Sequence, residues 1–577
     1  MTTSTSATGA SAAWPPVPGH PPMPPSPPAP AAAPPTAPPP PPAPPAVPPA
    51  PTAPSAPGAA PPVPAAPEAG EQAPPWRAAL GTALPPALLT LALCLYGIQD
   101  RQLWRDEHAS WWAATLSWSD LGTLTGNMDL VLAPYYLLLH LWVSVAGESE
   151  AALRIPSALA MAAAAGCVAL LGRRLLSPRL GLLAGVLFAV CPSITWYGQD
   201  ARPYAFAVLA ASGSTLLITR IVQDRRPAAT GLRPVLLLWT GYALTVVAMG
   251  LTHLVTLMVL PGHLLLVARE FRRGADDAGA RWMLVGRWAV ASAAAVLLLS
   301  PLLLLGAGQS GQIAWNGRDW SDLGELVKDL AGSSALGWTL LPLGVLGAVG
   351  LLLLRQQVGP LICWALVPVL VTVATAHWLH LFLARYLLFT VPAWMLLTAA
   401  AIGRLPGLVA QLTASRTPPR WVVGPVPPVV AFALAAVLAW PAQADVRDDL
   451  GGEADARAAA GVISAGLHPG DGVVFEPTSS MRRALAYELR DRPAPKDTLL
   501  WVTAQQAGSF GALECEEPAR CMAGVQRIWL LVASADRRPY GSVSDKVAKE
   551  LKQFHAVRTE AVPNLRVVLL ERTRGKP

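Results

Sequence analysis

Residues 102–112 read QLWRDEHASWW, a stretch that sets Arg105, Asp106, Glu107 and His108 between Trp104 and the Trp111–Trp112 pair. It follows directly on an apolar run that begins near Trp76. Of the 577 residues, 53% are hydrophobic and 14% charged. Soluble domains average about 25% charged residues, so the balance is that of a membrane protein. The quartet then marks the place where the first membrane helix ends and a polar loop opens.

Working outward, a spanning helix needs roughly 20 mostly apolar residues to cross a hydrocarbon layer of about 30 Å. By that measure the sequence predicts about eleven spans, at 78–98, 153–172, 180–197, 203–221, 234–250, 252–268, 283–305, 337–354, 359–376, 386–403 and 421–441. Arg-rich connections fall on every second loop: GRRLLSPR (172–179), RIVQDRRPAATGLR (220–233), REFRRGADDAGAR (269–281) and the region of Arg404, Arg416 and Arg420. Such loops stay cytoplasmic, which puts the N-terminus inside and the C-terminus outside a cell membrane. APYYLLLHLWVSVAG (133–147) is short for a bilayer and reads as an interfacial or re-entrant helix in a first outer loop, 99–152.

Residues 1–75 are Pro- and Ala-rich, as in PPSPPAPAAAPPTAPPPPPAPP (24–45), with nothing to bury, and read as a disordered cytoplasmic tail. The run near Trp76 lacks a small-residue cleavage site and reads as a signal anchor. Residues 76–441 form the membrane domain. After Pro441 about 135 residues follow without a span. Helical patterns there alternate with strands near 472–475, 498–502, 527–533 and at RVVLLE, the pattern of a small extracytoplasmic α/β domain over 442–577. Cys515 and Cys521 lie in that oxidising compartment and are expected to pair, whereas Cys94, Cys167, Cys191 and Cys363 sit in spans and pack. The net charge of +7 lies largely in cytoplasmic loops and reads as topology and contact with anionic lipids, not nucleic-acid binding.

Polar groups at membrane depth are costly and usually face a cavity, a ligand or each other. Several collect on the outer side here: Asp106, Glu107 and Asp129 in the first loop, Arg154 in ALRIPSALA, and Gln199, Asp200, Arg202 and Tyr204 in WYGQDARPYA (196–205). His253 in THL and Arg385 in RYLLFTVPA complete the set. Each has a purely structural alternative: Trp104, Trp111 and Trp112 as an interfacial belt, Arg202 pairing with Asp200, Arg154 neutralising Glu148 or Glu150, His253 as a satisfied histidine. Together they suit one chemistry, sugar transfer from a lipid phosphate to a hydroxyl. That reaction needs a carboxylate base, Asp106 or Asp129, and cations for the leaving phosphate, a task for which the planar guanidinium fork is suited.

The order of these motifs, a long first outer loop opening on Asp-Glu, then PYYLLLHLW, ALRIPSALA, WYGQDARPYA, THL and RYLLFTVPA, resembles the GT-C glycosyltransferases of the protein O-mannosyltransferase and aminoarabinose transferase group over residues 78 to about 405. The resemblance implies an integral-membrane, inverting transferase that uses a polyprenyl-phosphate sugar. It matches Asp106 to the catalytic acid of the Asp-Glu pair and Glu107 to its neighbour. Arg202 takes the place of the Arg in Q-x-A-R-P-Y, with Gln199 and Tyr204 beside it, and Arg385 that of a late Arg-Tyr. The chain departs from it at DLVLAPYY (129–136), where many relatives have a double proline. The donor sugar, mannose or another hexose or pentose, and the acceptor, protein, glycolipid or cell-wall polymer, stay open. Some of the group use a divalent cation, but no His and Cys stand at metal spacing. A polytopic transporter or lipid flippase is the alternative, though no internal repeat supports it. A membrane sensor would explain the outer domain but not the spans.

Overall fold

The computed structural model describes residues 75–224, 232–273, 278–353, 358–405, 424–448, 450–476 and 479–573. The expected tail, and parts of the Arg-rich loops at 225–231, 274–277 and 406–423, lie outside the described residues. The described residues form one compact unit.

The molecule is a multi-pass helical membrane protein with a strand-containing C-terminal portion. Among the described residues nine helices are long and apolar enough to cross a membrane, or up to ten if one bent pair counts as a span. The expected segment at 359–376 is a shorter apolar helix, Gly359–Ala374. The expected single span at 180–197 is instead two helices, α6 (Pro178–Val190) and α7 (Pro192–Gly198), bent by 65°. The cause is Pro192. A proline has no N–H to continue a helix and drives the preceding residue out of the helical region, and Cys191 stands at φ −64°, ψ 122°. Pro192 then occupies the first turn of the next helix, where its missing N–H costs nothing.

Six further helices frame the quartet. α1 (Pro75–Leu95) leads to α2 (Arg105–Thr115), which starts on Arg105 and so carries the quartet in its first turn. α3 (Trp118–Asn127) follows, its N-terminus capped by the Ser117 hydroxyl, which accepts from the Asp120 N–H. α4 (Ala133–Ala146) is the apolar helix expected in the first outer loop, and α5 (Glu150–Leu175), capped by Ser149, returns through the bundle. α8 (Tyr204–Gln223) begins directly after the QDARP segment. Gly198 allows that segment to sit against α1, because a Cβ there would collide with the Cys94 sulfur. One large apolar cluster fills the bundle, and a smaller one joins α2, α3 and α4.

The C-terminal portion holds a five-stranded sheet in the order β2-β1-β5-β7-β6: β1 (Gly472–Phe475), β2 (Lys496–Asp497), β5 (Arg527–Ala533), β6 (Phe554–Val562) and β7 (Leu565–Arg572). β1 runs parallel to β2 and β5, and β7 antiparallel to β5 and β6. Period-two alternation buries both faces. Trp529 and Leu531 pack with Ile463 and Leu485 on one side, while Ile528, Leu530 and Val532 pack with Val547 and Leu551 on the other. The expected α/β pattern therefore stands, with helices packed on both faces of the sheet. The expected strand near 498–502 is the shorter β3 (Leu500–Val502), which follows β2 and pairs with β4 (Leu513–Glu514) in a separate ribbon. Cys515 and Cys521 form a disulfide.

Candidate active site

The neighbours Asp106 and Glu107 point apart, since successive helical residues are turned by about 100°. Glu107 is fully buried. Its Oε1 accepts from Arg154 Nε at 2.8 Å and from the Ala201 N–H at 2.9 Å. Its Oε2 accepts from Arg154 Nη2 at 2.6 Å and from the Trp104 N–H at 3.3 Å. Arg154 spends its other donors on the carbonyls of Ile98, Arg101 and Gln102. Burial alone would raise the Glu107 pKa, but Arg154, Arg101 and the Ala201 N–H outweigh it and hold it below the usual carboxylate range. Glu107 and Arg154, both expected at the reacting centre, are thus closed on each other. They knit α2, α5 and the QDARP segment together. Neither Glu148 nor Glu150 takes that part: Glu148 accepts from Trp111 Nε1 at 2.7 Å, and Glu150 pairs with Arg457 at 3.1 Å.

Gln199 is corrected in the same way. Its amide donates to the carbonyls of Cys94 and Tyr96 at 2.9 and 2.8 Å, satisfying the C-terminal end of α1 rather than facing a ligand. The tryptophans also depart from an interfacial belt. Trp111 is buried against Tyr487, with ring centroids 5.0 Å apart, because the C-terminal portion covers α2.

The remaining residues share one neighbourhood. Asp106 is partly exposed, with Arg105 at 3.7 Å. Arg202 is buried, donates to Ser110 Oγ at 3.3 Å and leaves its Nε without a partner. Burial opposes its charge, but Tyr204, Asp106, Tyr136 and Asp129 around it outweigh that cost. Arg385 also lies in the field of Asp106 and Tyr204. Its guanidinium stands 5.8, 5.6 and 5.6 Å from the ring centres of Trp104, Trp315 and Tyr386, a cation cradled by aromatic faces, and its Nε is unpartnered. His253 stacks on Tyr386 at 4.5 Å with Nδ1 unpartnered, and the buried Tyr204 ring touches Tyr197 at 5.4 Å. Asp129 accepts from the Tyr136 hydroxyl at 2.9 Å and holds a left-handed backbone, φ 56°, that an aspartate tolerates better than most residues. Beside this cluster opens a cavity of about 840 Å³ lined by Trp104, Arg105, Tyr197, Lys328, Arg385 and Glu453 among others.

The family model for dolichyl-phosphate-mannose-protein mannosyltransferase matches residues 132–304. Among solved structures, ArnT from Cupriavidus metallidurans in the apo state superposes with a TM-score of 0.54 at 14% identity, over 85% of this chain and 98% of that one. The chain carries the GT-C glycosyltransferase fold. ArnT bound to undecaprenyl phosphate gives a TM-score of 0.48 at 14% identity, over 85% of this chain and 98% of that one. The apo oligosaccharyltransferase of Archaeoglobus fulgidus gives 0.47 at 10%, over 78% and 69%. No curated protein matches the sequence.

Within this GT-C frame Asp200, which the sequence offered only as one of the collected polar groups and a partner for Arg202, takes a different part. Asp200 is fully buried, accepts from Trp104 Nε1 at 2.9 Å and leaves Oδ2 unpartnered. Burial, reinforced by Glu107, raises its pKa to about 7. It makes no ion pair with Arg202; it fixes Trp104, whose ring faces Arg385. The signal was its place inside the motif, but only the fold shows which partner it takes. Among the described residues no group of three or more His, Cys, Asp or Glu converges to hold a metal ion, so no step is assigned to one.

Proposed function

We propose that the protein moves a sugar from a polyprenyl-phosphate donor to an acceptor hydroxyl at the outer face of a cell membrane, with the N-terminus cytoplasmic and the C-terminal portion outside. The observation that carries this reading is the accessible Asp106 carboxylate in one electrostatic neighbourhood with two arginines, Arg202 and Arg385, whose Nε atoms are unpartnered. Asp106 takes the proton of the acceptor hydroxyl as its oxygen attacks the anomeric carbon. The bond from that carbon to the phosphate oxygen breaks, and polyprenyl phosphate leaves against Arg202 and Arg385. A single displacement of this kind inverts the anomeric centre. Asp129, tied to Tyr136, orders the acceptor side. Trp104 and the aromatic rings around Arg385 give the sugar apolar faces to lie on. Glu107, Arg154 and Gln199 hold the frame. Mannose or another hexose or pentose fits this site equally, as does a protein, glycolipid or cell-wall acceptor. That ArnT was solved with undecaprenyl phosphate accords with a lipid-linked donor.

The test is transfer of labelled sugar by purified protein from a panel of polyprenyl-phosphate sugars, with Asp106→Asn run beside wild type. Loss of a general base costs roughly 10²–10⁴-fold in rate. No transfer from any donor would refute the function, and equal transfer by both proteins would move the base to Asp129.

A further inference from the structure

The C-terminal portion also reaches the cavity beside the cluster. The last long apolar helix, Val426–Asp445, lines that cavity with Leu438, Pro441 and Ala442. The chain then turns on Gly451 and Gly452, whose φ values of 59° and 79° suit residues without a Cβ. The Glu453 N–H closes this turn on the Leu450 carbonyl at 2.9 Å, and Asn564 Nδ2 donates to the Glu453 carbonyl at 3.0 Å. Just beyond, the chain is pinned to the segment that leads into the quartet. Gln102 Nε2 donates to the Ala454 carbonyl at 2.8 Å, and Gln102 Oε1 accepts from the Arg457 N–H at 3.2 Å. Glu453 is thereby fixed in the cavity wall together with Leu103, Trp104 and Arg105.

Three acids line the cavity. Asp329 is paired with Arg318 at 3.1 Å, and Asp445 is exposed to solvent. Glu453 is half-buried, and among the described residues no group bonds to its carboxylate. A carboxylate drawn partly out of water without a partner is costly, and the turn itself needs only the Glu453 backbone. Arg385 lines the same cavity and is the natural seat of the donor phosphate, which a carboxylate repels. The part of the donor that can bond to Glu453 is the sugar, whose hydroxyl groups are donors for a charged acceptor. Trp104, whose ring faces Arg385, shares the wall with Glu453 and gives the sugar ring an apolar face.

We propose that Glu453 is a specificity-determining residue for the donor sugar, its carboxylate accepting hydrogen bonds from the sugar hydroxyl groups while Arg385 holds the phosphate. This rests on the transferase reading above. It gives the C-terminal portion a share in choosing the donor, while the reacting groups stay in the membrane domain.

The experiment compares Glu453→Ala and Glu453→Gln with wild type in the full-length protein. It measures kcat and KM for the polyprenyl-phosphate sugar that the wild type transfers, and the inhibition constant of polyprenyl phosphate without a sugar. The expected result is a donor KM raised roughly tenfold in Glu453→Ala, with a smaller change in kcat. Glu453→Gln, which keeps one acceptor oxygen, should fall between. Inhibition by the sugar-free lipid phosphate should match wild type in both variants. An unchanged donor KM overturns the inference. So does a KM and an inhibition constant weakened by the same factor, which would make Glu453 a prop of the cavity wall. Inhibition that tightens in Glu453→Ala would put the phosphate beside Glu453 and overturn it as well. If Glu453→Ala does not fold, the isosteric Glu453→Gln carries the same comparison. A wild type that transfers nothing overturns the function and this inference with it, whereas the other outcomes bear on Glu453 alone.

Discussion

Glu107→Gln tests the division of labour within the Asp-Glu pair most sharply. Four N–H donors converge on two carboxylate oxygens: Arg154 Nε and Ala201 on one, Arg154 Nη2 and Trp104 on the other. Glutamine keeps the shape but replaces one oxygen with an NH2 group. Whichever way the amide turns, that NH2 faces two donors, so two hydrogen bonds are lost and the other two lose their charge assistance. A hydrogen bond to a charged group is worth about 1.5–3 kcal/mol, and breaking a buried ion pair costs about 3–5 kcal/mol. The expected loss is therefore about 3–5 kcal/mol, because Arg154 remains buried and charged with three carbonyls and one neutral amide oxygen as its only acceptors. Thermal unfolding of the protein in detergent, followed by tryptophan fluorescence, reads it against wild type. Asp106→Asn is the control. Its side chain is partly exposed and pairs only with the exposed Arg105, so it should melt with wild type while losing transfer. A Glu107→Gln protein that also melts with wild type would refute the closed pair, and with it the assignment of chemistry to Asp106 alone.

Asp200→Asn keeps an acceptor for Trp104 and removes a carboxyl whose folded pKa is raised to about 7. Such a group stabilises the fold below its unfolded pKa, and that contribution is lost as pH rises toward 7. The wild type should lose stability between about pH 4 and 7 more steeply than Asp200→Asn, and parallel profiles would contradict the buried acid. Arg385→Lys keeps the charge but loses the fork, so the donor KM should rise roughly tenfold with a smaller change in kcat, and unchanged kinetics would remove Arg385 from the phosphate. A cysteine at Ser333, which lines the cavity, should react with a membrane-impermeant reagent in intact cells, while one at Ala278 should not. The reverse pattern would invert the topology.

The membrane character, the GT-C fold and the α/β pattern of the C-terminal portion were legible in the sequence because each rests on local hydropathy and on motifs that hold their order. Asp106, Arg202, Tyr204, His253 and Arg385 were legible as a set for the same reason: polar residues in an apolar context stand out. β6 was not legible. As an edge strand it exposes most of its residues, His555 and Arg558 included, so no buried face marks it with alternating apolar residues. The break at Pro192 was visible as a residue, but an apolar window averages over it.

Sequence alone determined which residues are too costly to sit in a membrane without a purpose. Tertiary structure decided which purpose each one has. Asp106 and Glu107 are adjacent and chemically alike, and only the helix rotation and the arrival of Arg154 from α5 and Ala201 from the QDARP segment separate a closed buried pair from a carboxylate left accessible beside the cavity. Gln199 and Trp104 took their partners from chain segments about 100 residues away. Burial and pairing are properties of those long-range contacts, and a linear pattern records only the residue that will need them.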